Sequence, residues 1–242
     1  MPRVFIHGVP DTWRVWGPLR GHLGDEEGVA LSLPGFDCPI PEGFTATKEE
    51  YIAWLIGELE RFSGPVDLVG HDWGCILALR VTCLRPDLVR SWAVGGGPFS
   101  GAFVWHKNAQ LWQTPEVGER WMAAVGEEAR RASQLANGVP EAQAAETARH
   151  FDPPMKDCIL RLYRSALDPF GEWERGLADI VAPGLVLWGE QDPFVPVAFA
   201  DRLGEQARAR RIVKFADCGH WWPAQRPAEA ARALEEHWRA LS

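Results

Sequence analysis

Tyrosine and methionine are scarce in this chain, with two and three residues among 242, so only Tyr51 and Tyr163 can offer a phenolic O–H. Its five cysteines (Cys38, Cys75, Cys83, Cys158 and Cys218) are odd in number, scattered and without a C-x-x-C pair. That argues against a disulfide framework or a zinc ribbon and predicts reduced thiols in a cytoplasm. No apolar run reaches the length of a membrane-spanning helix, and MPRVFIHG is too short an apolar stretch for a secretory segment. Positive charge is also in deficit: 25 Lys and Arg against 33 Asp and Glu give a formal charge of −8. Neither nucleic acid nor an anionic membrane is therefore expected as a main partner. Histidines and carboxylates do not recur at ligand spacing, so no metal and no other cofactor is expected. Internal repeats and low-complexity tracts are absent as well.

What is present fits one large α/β domain with a substantial core. Short apolar or β-branched runs recur at 4–6, 29–33, 66–69, 89–94, 185–187 and 212–215. Helical patterns at 48–61, 75–84, 197–206 and 227–240 alternate with several of them. Strands alternating with helices predict a mostly parallel sheet of about six strands, covered on both faces. The alternation stops at residues 99–175, which read as a helical insertion over the C-terminal edge of the sheet. There Asn137-Gly138 and Pro153-Pro154 interrupt helical patterns rich in Ala, Glu, Arg and Trp. The expected division is a core of residues 1–98 and 176–242 and a cap of residues 99–175.

Polar corners follow the strands where an open α/β sheet keeps its active site. The first, Gly70-His71-Asp72-Trp73-Gly74, joins a hydrophobic strand to a helical pattern. The second is Gly189-Glu190-Gln191-Asp192 and the third Asp217-Cys218-Gly219-His220. A glycine-flanked acidic corner resembles the strand–turn–helix on which hydrolases expose a nucleophile, but with aspartate in its centre. The chain order Asp72, Asp192, His220 is nucleophile, acid, histidine. Asp67 and Asp217 remain competitors for the acid, and each residue also has a duller reading: a helix cap for Asp72, a turn for Asp192, packing for His220.

These residues carry a family resemblance. His7-Gly8-Val9-Pro10 matches the H-G-x-P motif of epoxide hydrolases, Gly70–Gly74 their elbow, and Asp217-Cys218-Gly219-His220-Trp221 their histidine loop. Nearly the whole chain resembles the α/β-hydrolase superfamily, in its aspartate-nucleophile branch of epoxide hydrolases and dehalogenases. By that resemblance the first two strands usual in the family are expected to be missing. The resemblance implies a covalent alkyl ester on Asp72, hydrolysed by water that His220 activates with Asp192 behind it. It also implies Val9 and Trp73 as oxyanion-hole donors. An aspartate suits this task because it is already ionised near neutral pH (reference pKa about 3.9) and can displace a leaving group from saturated carbon.

The leaving group decides between the two activities. An epoxide oxygen departs as an alkoxide and needs a proton, which tyrosine can give; a halide is held by N–H donors. Tyr163, in Arg161-Leu162-Tyr163-Arg164-Ser165, resembles one ring-opening tyrosine of epoxide hydrolases. In the segment equivalent to the other, Asn108-Ala109-Gln110-Leu111-Trp112-Gln113, Ala109 stands where tyrosine is usual, so either Tyr163 suffices alone or Trp112 or His106 supplies another donor. Tyr51 reads as packing. For dehalogenation, Trp73 offers an indole N–H, but Val9 replaces an asparagine used for halide. The arginines that haloacetate dehalogenases carry after the nucleophile are absent, which argues against a carboxylate substrate. Epoxide opening is the preferred reading, dehalogenation the alternative, and a non-catalytic binding protein a third that the intact Asp–Asp–His set disfavours. The expected substrate is a small apolar or aromatic molecule, with His7, Trp105, His106, Trp112 and Trp221 lining its pocket. Oligomeric state is not legible.

Overall fold

The computed structural model describes residues 1–24, 28–168 and 171–241. In chain order its elements begin with β1 (Arg3–Ile6), α1 (Gly17–Leu23), β2 (Val29–Leu31), α2 (Lys48–Leu59), β3 (Val66–His71), α3 (Trp73–Leu84) and β4 (Val89–Gly95). Helices α4 (Lys107–Gln113), α5 (Val117–Ala124), α6 (Glu127–Ala136), α7 (Glu141–Arg149), α8 (Pro153–Arg164) and α9 (Gly171–Glu174) follow without a strand among the described residues. The chain then returns to β5 (Gly184–Gly189), α10 (Ala198–Gln206), β6 (Arg211–Phe215), α11 (Trp222–Gln225) and α12 (Pro227–Arg239).

The six strands form one sheet in the order β2-β1-β3-β4-β5-β6, every neighbouring pair parallel. Parallel strands bury both faces, and the period of two is plain in the packing. Val4, Ile6, Leu68, Trp92, Val94, Val186 and Trp188 face a core shared with α2, α3 and α10. Phe5, Val69, Ala93, Leu185 and Leu187 face the opposite core, closed by Leu19 of α1, Trp222 of α11 and Leu234 of α12. Each fully buried large aliphatic side chain of this kind stabilises the fold by roughly 1.5–3 kcal/mol. Five tryptophans (Trp16, Trp73, Trp92, Trp188 and Trp222) are fully buried, so much of the indole content is packing.

Local chemistry sets the element ends. Thr47 caps α2 by accepting from the Glu50 N–H, and two acidic residues follow in its first turn. Asp152 caps α8 through the Met155 N–H, with Pro153 and Pro154 opening the helix where no N–H is missed. The strands also run further than their apolar cores. β3 continues through Gly70 to His71 and β4 to Gly95, so the sheet carries its hydrogen bonding up to the polar corners. β2 stops at Leu31, before Pro34 removes a donor.

Because all strands point the same way, the corners after β1, β3, β4, β5 and β6 gather at one edge. The insertion from α4 to α8 shares a cavity with them. No helix among the described residues is long and apolar enough to cross a membrane. All five cysteines are free thiols.

Candidate active site

Asp72 occupies the tight corner between β3 and α3. Its backbone is left-handed (φ 54°, ψ −121°), a region costly for any residue but glycine, and two bonds fix it there. The Asp72 N–H donates to Gly95 O (3.0 Å), and its carbonyl accepts from the Cys75 N–H (2.9 Å). A Cβ on Gly70 would strike the carbonyl of Gly74, and a Cβ on Gly74 the carbonyl of Ile6, which explains a glycine at each side of the corner. A Cβ on Gly8 would strike the Asp72 side chain itself, so the loop after β1 can close over the carboxylate only as glycine. The next residue, Val9, donates its N–H to Asp72 Oδ1 at 2.6 Å.

The other carboxylate oxygen meets the histidine. His220 Nε2 lies 3.3 Å from Asp72 Oδ2, and His220 Nδ1 lies 2.7 Å from Asp192 Oδ2. Asp192 is held in turn by the N–H groups of Phe194 (2.8 Å) and Val195 (2.9 Å), both donating to Oδ1. The loops that carry the pair are tied together, Gln191 N–H donating to Cys218 O (2.9 Å) and Glu190 N–H to Phe215 O (3.1 Å). The competing acids lie elsewhere. Asp67 engages Arg90 (2.9 and 2.5 Å) and Ser91 (2.5 Å), and Asp217 accepts from the Gln191 side chain (3.1 Å).

Electrostatics follow from burial and pairing. Burial lowers the basicity of His220, but the charge and hydrogen bond of Asp192, then those of Asp72, outweigh it and push its pKa up to about 10. Burial likewise raises the pKa of Asp72, yet its contacts with His220 and the Val9 N–H prevail and hold it below the usual carboxylate range. The resting site is thus an ion pair. Behind it, burial lowers His71 to about 4, so a neutral His71 donates from Nε2 to the His220 carbonyl (2.9 Å) and braces that loop.

A cavity of about 570 Å³, its mouth included, opens above Asp72 and His220 between core and insertion. Trp105, His106, Trp112, Tyr163 and Trp221 all line it. His7 does not. It is fully buried in a fold-locking role, its Nδ1 donating to Gly8 O (2.8 Å) and its Nε2 accepting from the Leu33 N–H (3.0 Å). His7 therefore corrects the expected pocket list: both ring nitrogens are spent on holding the loop after β1. Trp73 packs beneath the cavity, its ring against Trp105 (5.9 Å between centroids) and Tyr163 (5.4 Å).

The polar atoms on the walls differ in what they have left to offer. Trp105 spends its indole N–H on Ala166 O (2.8 Å) and Trp221 spends its own on Asp11 (2.8 Å). Trp112 Nε1 is buried with no partner among the described residues, and the Trp112 and Tyr163 rings pack 4.9 Å apart between centroids. His106 accepts the Ala109 N–H at Nδ1 (3.2 Å), and burial lowers its pKa to about 4, so it is neutral with its proton on Nε2. Tyr163, 2 % exposed, is pushed well above the ordinary phenol range by burial and then by the Asp72 charge, and stays an O–H donor. Sequence reasoning missed Asn108, Arg130, Ser133 and Phe194, which also line the cavity. Asn108 and Ser133 are exposed and mark its mouth. Among the described residues no group of three or more His, Cys, Asp or Glu side chains converges as a metal site.

Comparison with known proteins agrees with this architecture. Epoxide hydrolase 3 of Xenopus tropicalis is 25% identical over 259 residues, covering 96% of this chain and 70% of its own. The structure of a meta-cleavage product hydrolase from Pseudomonas fluorescens superposes with a TM-score of 0.80 at 19% identity, covering 100% of this chain and 92% of the other. An ancestral haloalkane dehalogenase gives a TM-score of 0.80 at 20% identity, over 99% and 91%. Likenesses at such identity speak for the fold. The model of the alpha/beta hydrolase family matches residues 4–233, and with its parallel sheet and polar corners the chain belongs to that family.

Proposed function

We propose that the protein is an epoxide hydrolase in which Asp72 is the nucleophile, and that residues 1–98 and 176–242 form its core and 99–175 its cap. The observation that carries this reading is a left-handed corner presenting an ionised carboxylate between a backbone N–H and an imidazolium, with a buried phenol across the cavity. A serine hydrolase would need a hydroxyl at that corner. Here Oδ1 sits against the Val9 N–H, which leaves Oδ2 to attack.

In the first step Asp72 Oδ2 forms a bond to an epoxide carbon, the ring C–O bond breaks, and the departing oxygen takes the Tyr163 proton. The tyrosinate recovers a proton from the His220 imidazolium. In the second step neutral His220 removes a proton from water, and the hydroxide adds to the Asp72 carboxyl carbon. The oxyanion on Oδ1 is met by the N–H groups of Val9 and Trp73; its collapse expels the second diol oxygen, protonated by His220, and the proton left on the Asp72 carboxyl then passes to His220 to restore the ion pair. Net, one epoxide and one water give one diol. A halide leaving group is the second reading, favoured by the unpartnered Trp112 N–H beside Tyr163. A screen of aryl and alkyl epoxides beside bromoalkanes separates the two: diol without halide release supports the first, and halide release alone replaces it with the second.

Tyr163→Phe should slow alkylation of Asp72 on the order of 10²–10⁴-fold, the usual cost of losing a general acid, while ester hydrolysis changes little. Rapid-quench measurement of the two steps checks this. Equal loss in both would reduce Tyr163 to a wall of the pocket.

The steps should also part with pH. Alkylation needs ionised Asp72, whose pKa is held low, so its rate should be flat down to strongly acidic pH. Hydrolysis needs neutral His220. Esterification of Asp72 removes one of the two charges that hold His220 high, so its pKa falls, while Asp192 keeps part of the elevation. Hydrolysis should therefore slow as the pH drops through that lowered pKa, and the alkyl-enzyme should accumulate on the acid side of it. If both steps decline together on acidification, His220 does not divide them in this way.

A further inference from the structure

Arg130, in the middle of α6, is 8 % exposed and lines the same cavity as Asp72 and Tyr163. A guanidinium carries five donors and cannot shed its charge, so a buried one is nearly always paired. This one is not. Its Nε is buried without a partner, and among the described residues it makes no hydrogen bond and has no carboxylate within 4.0 Å. Its contact on one side is the face of Phe151, 5.7 Å from the ring centroid. The carboxylate that acts on it most strongly, Asp11, is already engaged by the Thr147 hydroxyl (3.0 Å) and the Trp221 indole (2.8 Å). Burial moreover pushes Asp11 above the usual carboxylate range, which weakens it as a counter-ion. One turn further along α6, Gln134 is fully buried with both amide atoms unpartnered.

We propose that Arg130 is the anion-recognition residue of this cavity and that the substrate carries a carboxylate in addition to the carbon attacked by Asp72. This rests on the reading of Asp72 as nucleophile only for the second clause; the first concerns binding alone. Asp72, at the corner after β3, and Arg130, on α6, line the same cavity, so one molecule can meet both. The arginines missing after the elbow are thereby replaced from the insertion. The remaining walls (Phe103, Trp105, Trp112, Phe194 and Trp221) enclose the apolar part of the molecule and exclude water from the ion pair, which strengthens it.

The test is calorimetric binding of 3-phenylpropanoate and of its neutral amide to the wild-type protein, to Arg130→Met and to Arg130→Lys. Wild type should prefer the acid over the amide on the order of 10- to 100-fold, as expected for charge-assisted hydrogen bonds. Arg130→Met should abolish the preference and leave amide binding in place, and Arg130→Lys should keep part of it. Replacing an unpaired buried cation by an apolar side chain is not expected to harm folding, which a melting curve verifies. Equal binding of acid and amide by wild type overturns the proposal, whatever happens to Arg130→Met. So does an acid preference that survives in Arg130→Met. Neither measurement needs turnover, so the anion site can fail while Asp72 still forms its ester, and the reverse. With turnover, glycidate should exceed glycidamide in kcat/KM by a similar factor, and that gap should close in Arg130→Met.

Discussion

Asp72→Ala should lose turnover by at least on the order of 10⁴-fold, to the limit of detection, because in the proposed mechanism the residue removed supplies the bond itself. Nothing nearby can take over. Cys75, one turn into α3, is fully buried, its thiol donates to Gly97 O (3.6 Å), and burial pushes its pKa well above the ordinary range. Asp72→Ser should not rescue, since a neutral hydroxyl displaces poorly at saturated carbon and would first have to give up its proton. The fold should survive either change. The corner is held through the backbone, by the Asp72 N–H to Gly95 O bond and the Asp72 carbonyl, neither of which a side-chain change removes. A purified, folded Asp72→Ala protein with wild-type activity would end the aspartate account.

The residues differ in how much of their setting the chain reveals. The central strands were legible because they are buried on both faces and so are mostly apolar: β3 and β5 are buried at every position, whereas the edge strands β2 and β6 are partly exposed. The Asp72 corner was legible because its glycines are demanded by close approach, and such a demand leaves a spacing in the sequence. The choice of Asp192 over Asp67 and Asp217 was not, since it depends on which strand end each occupies: Asp67 lies at the far end of β3, against Arg90. His7 misled for a related reason. A histidine beside a catalytic loop reads as a pocket residue, and only the Gly8 and Leu33 hydrogen bonds disclose that its ring is spent. Arg130 was hidden by company. In Glu127-Glu128-Ala129-Arg130-Arg131 it looks like one more charge on a solvated helix, and only the packing of α6 over the cavity buries it.

His220→Gln should form the alkyl-enzyme and stop there, the second large effect and the most telling one. Alkylation requires an ionised Asp72 and a stabilised leaving group, and the Val9 N–H and Tyr163 remain in the variant. Hydrolysis requires a base for water, and no other histidine in the cavity can serve in place of His220. His71 is braced behind it, and His106 spends Nδ1 on the Ala109 N–H, its basicity lowered to about 4 by burial. Losing that base should slow release by at least on the order of 10²–10⁴-fold, so the ester outlives the experiment. Asp192→Asn should stall as well but leak more, because the imidazole remains while its orientation and its cation lose support. The decisive measurement is mass spectrometry of His220→Gln after brief exposure to an epoxide that wild type turns over. One added substrate mass on the peptide containing Asp72 is the predicted result; normal turnover without an adduct, or an adduct mapped to Cys75, would contradict it.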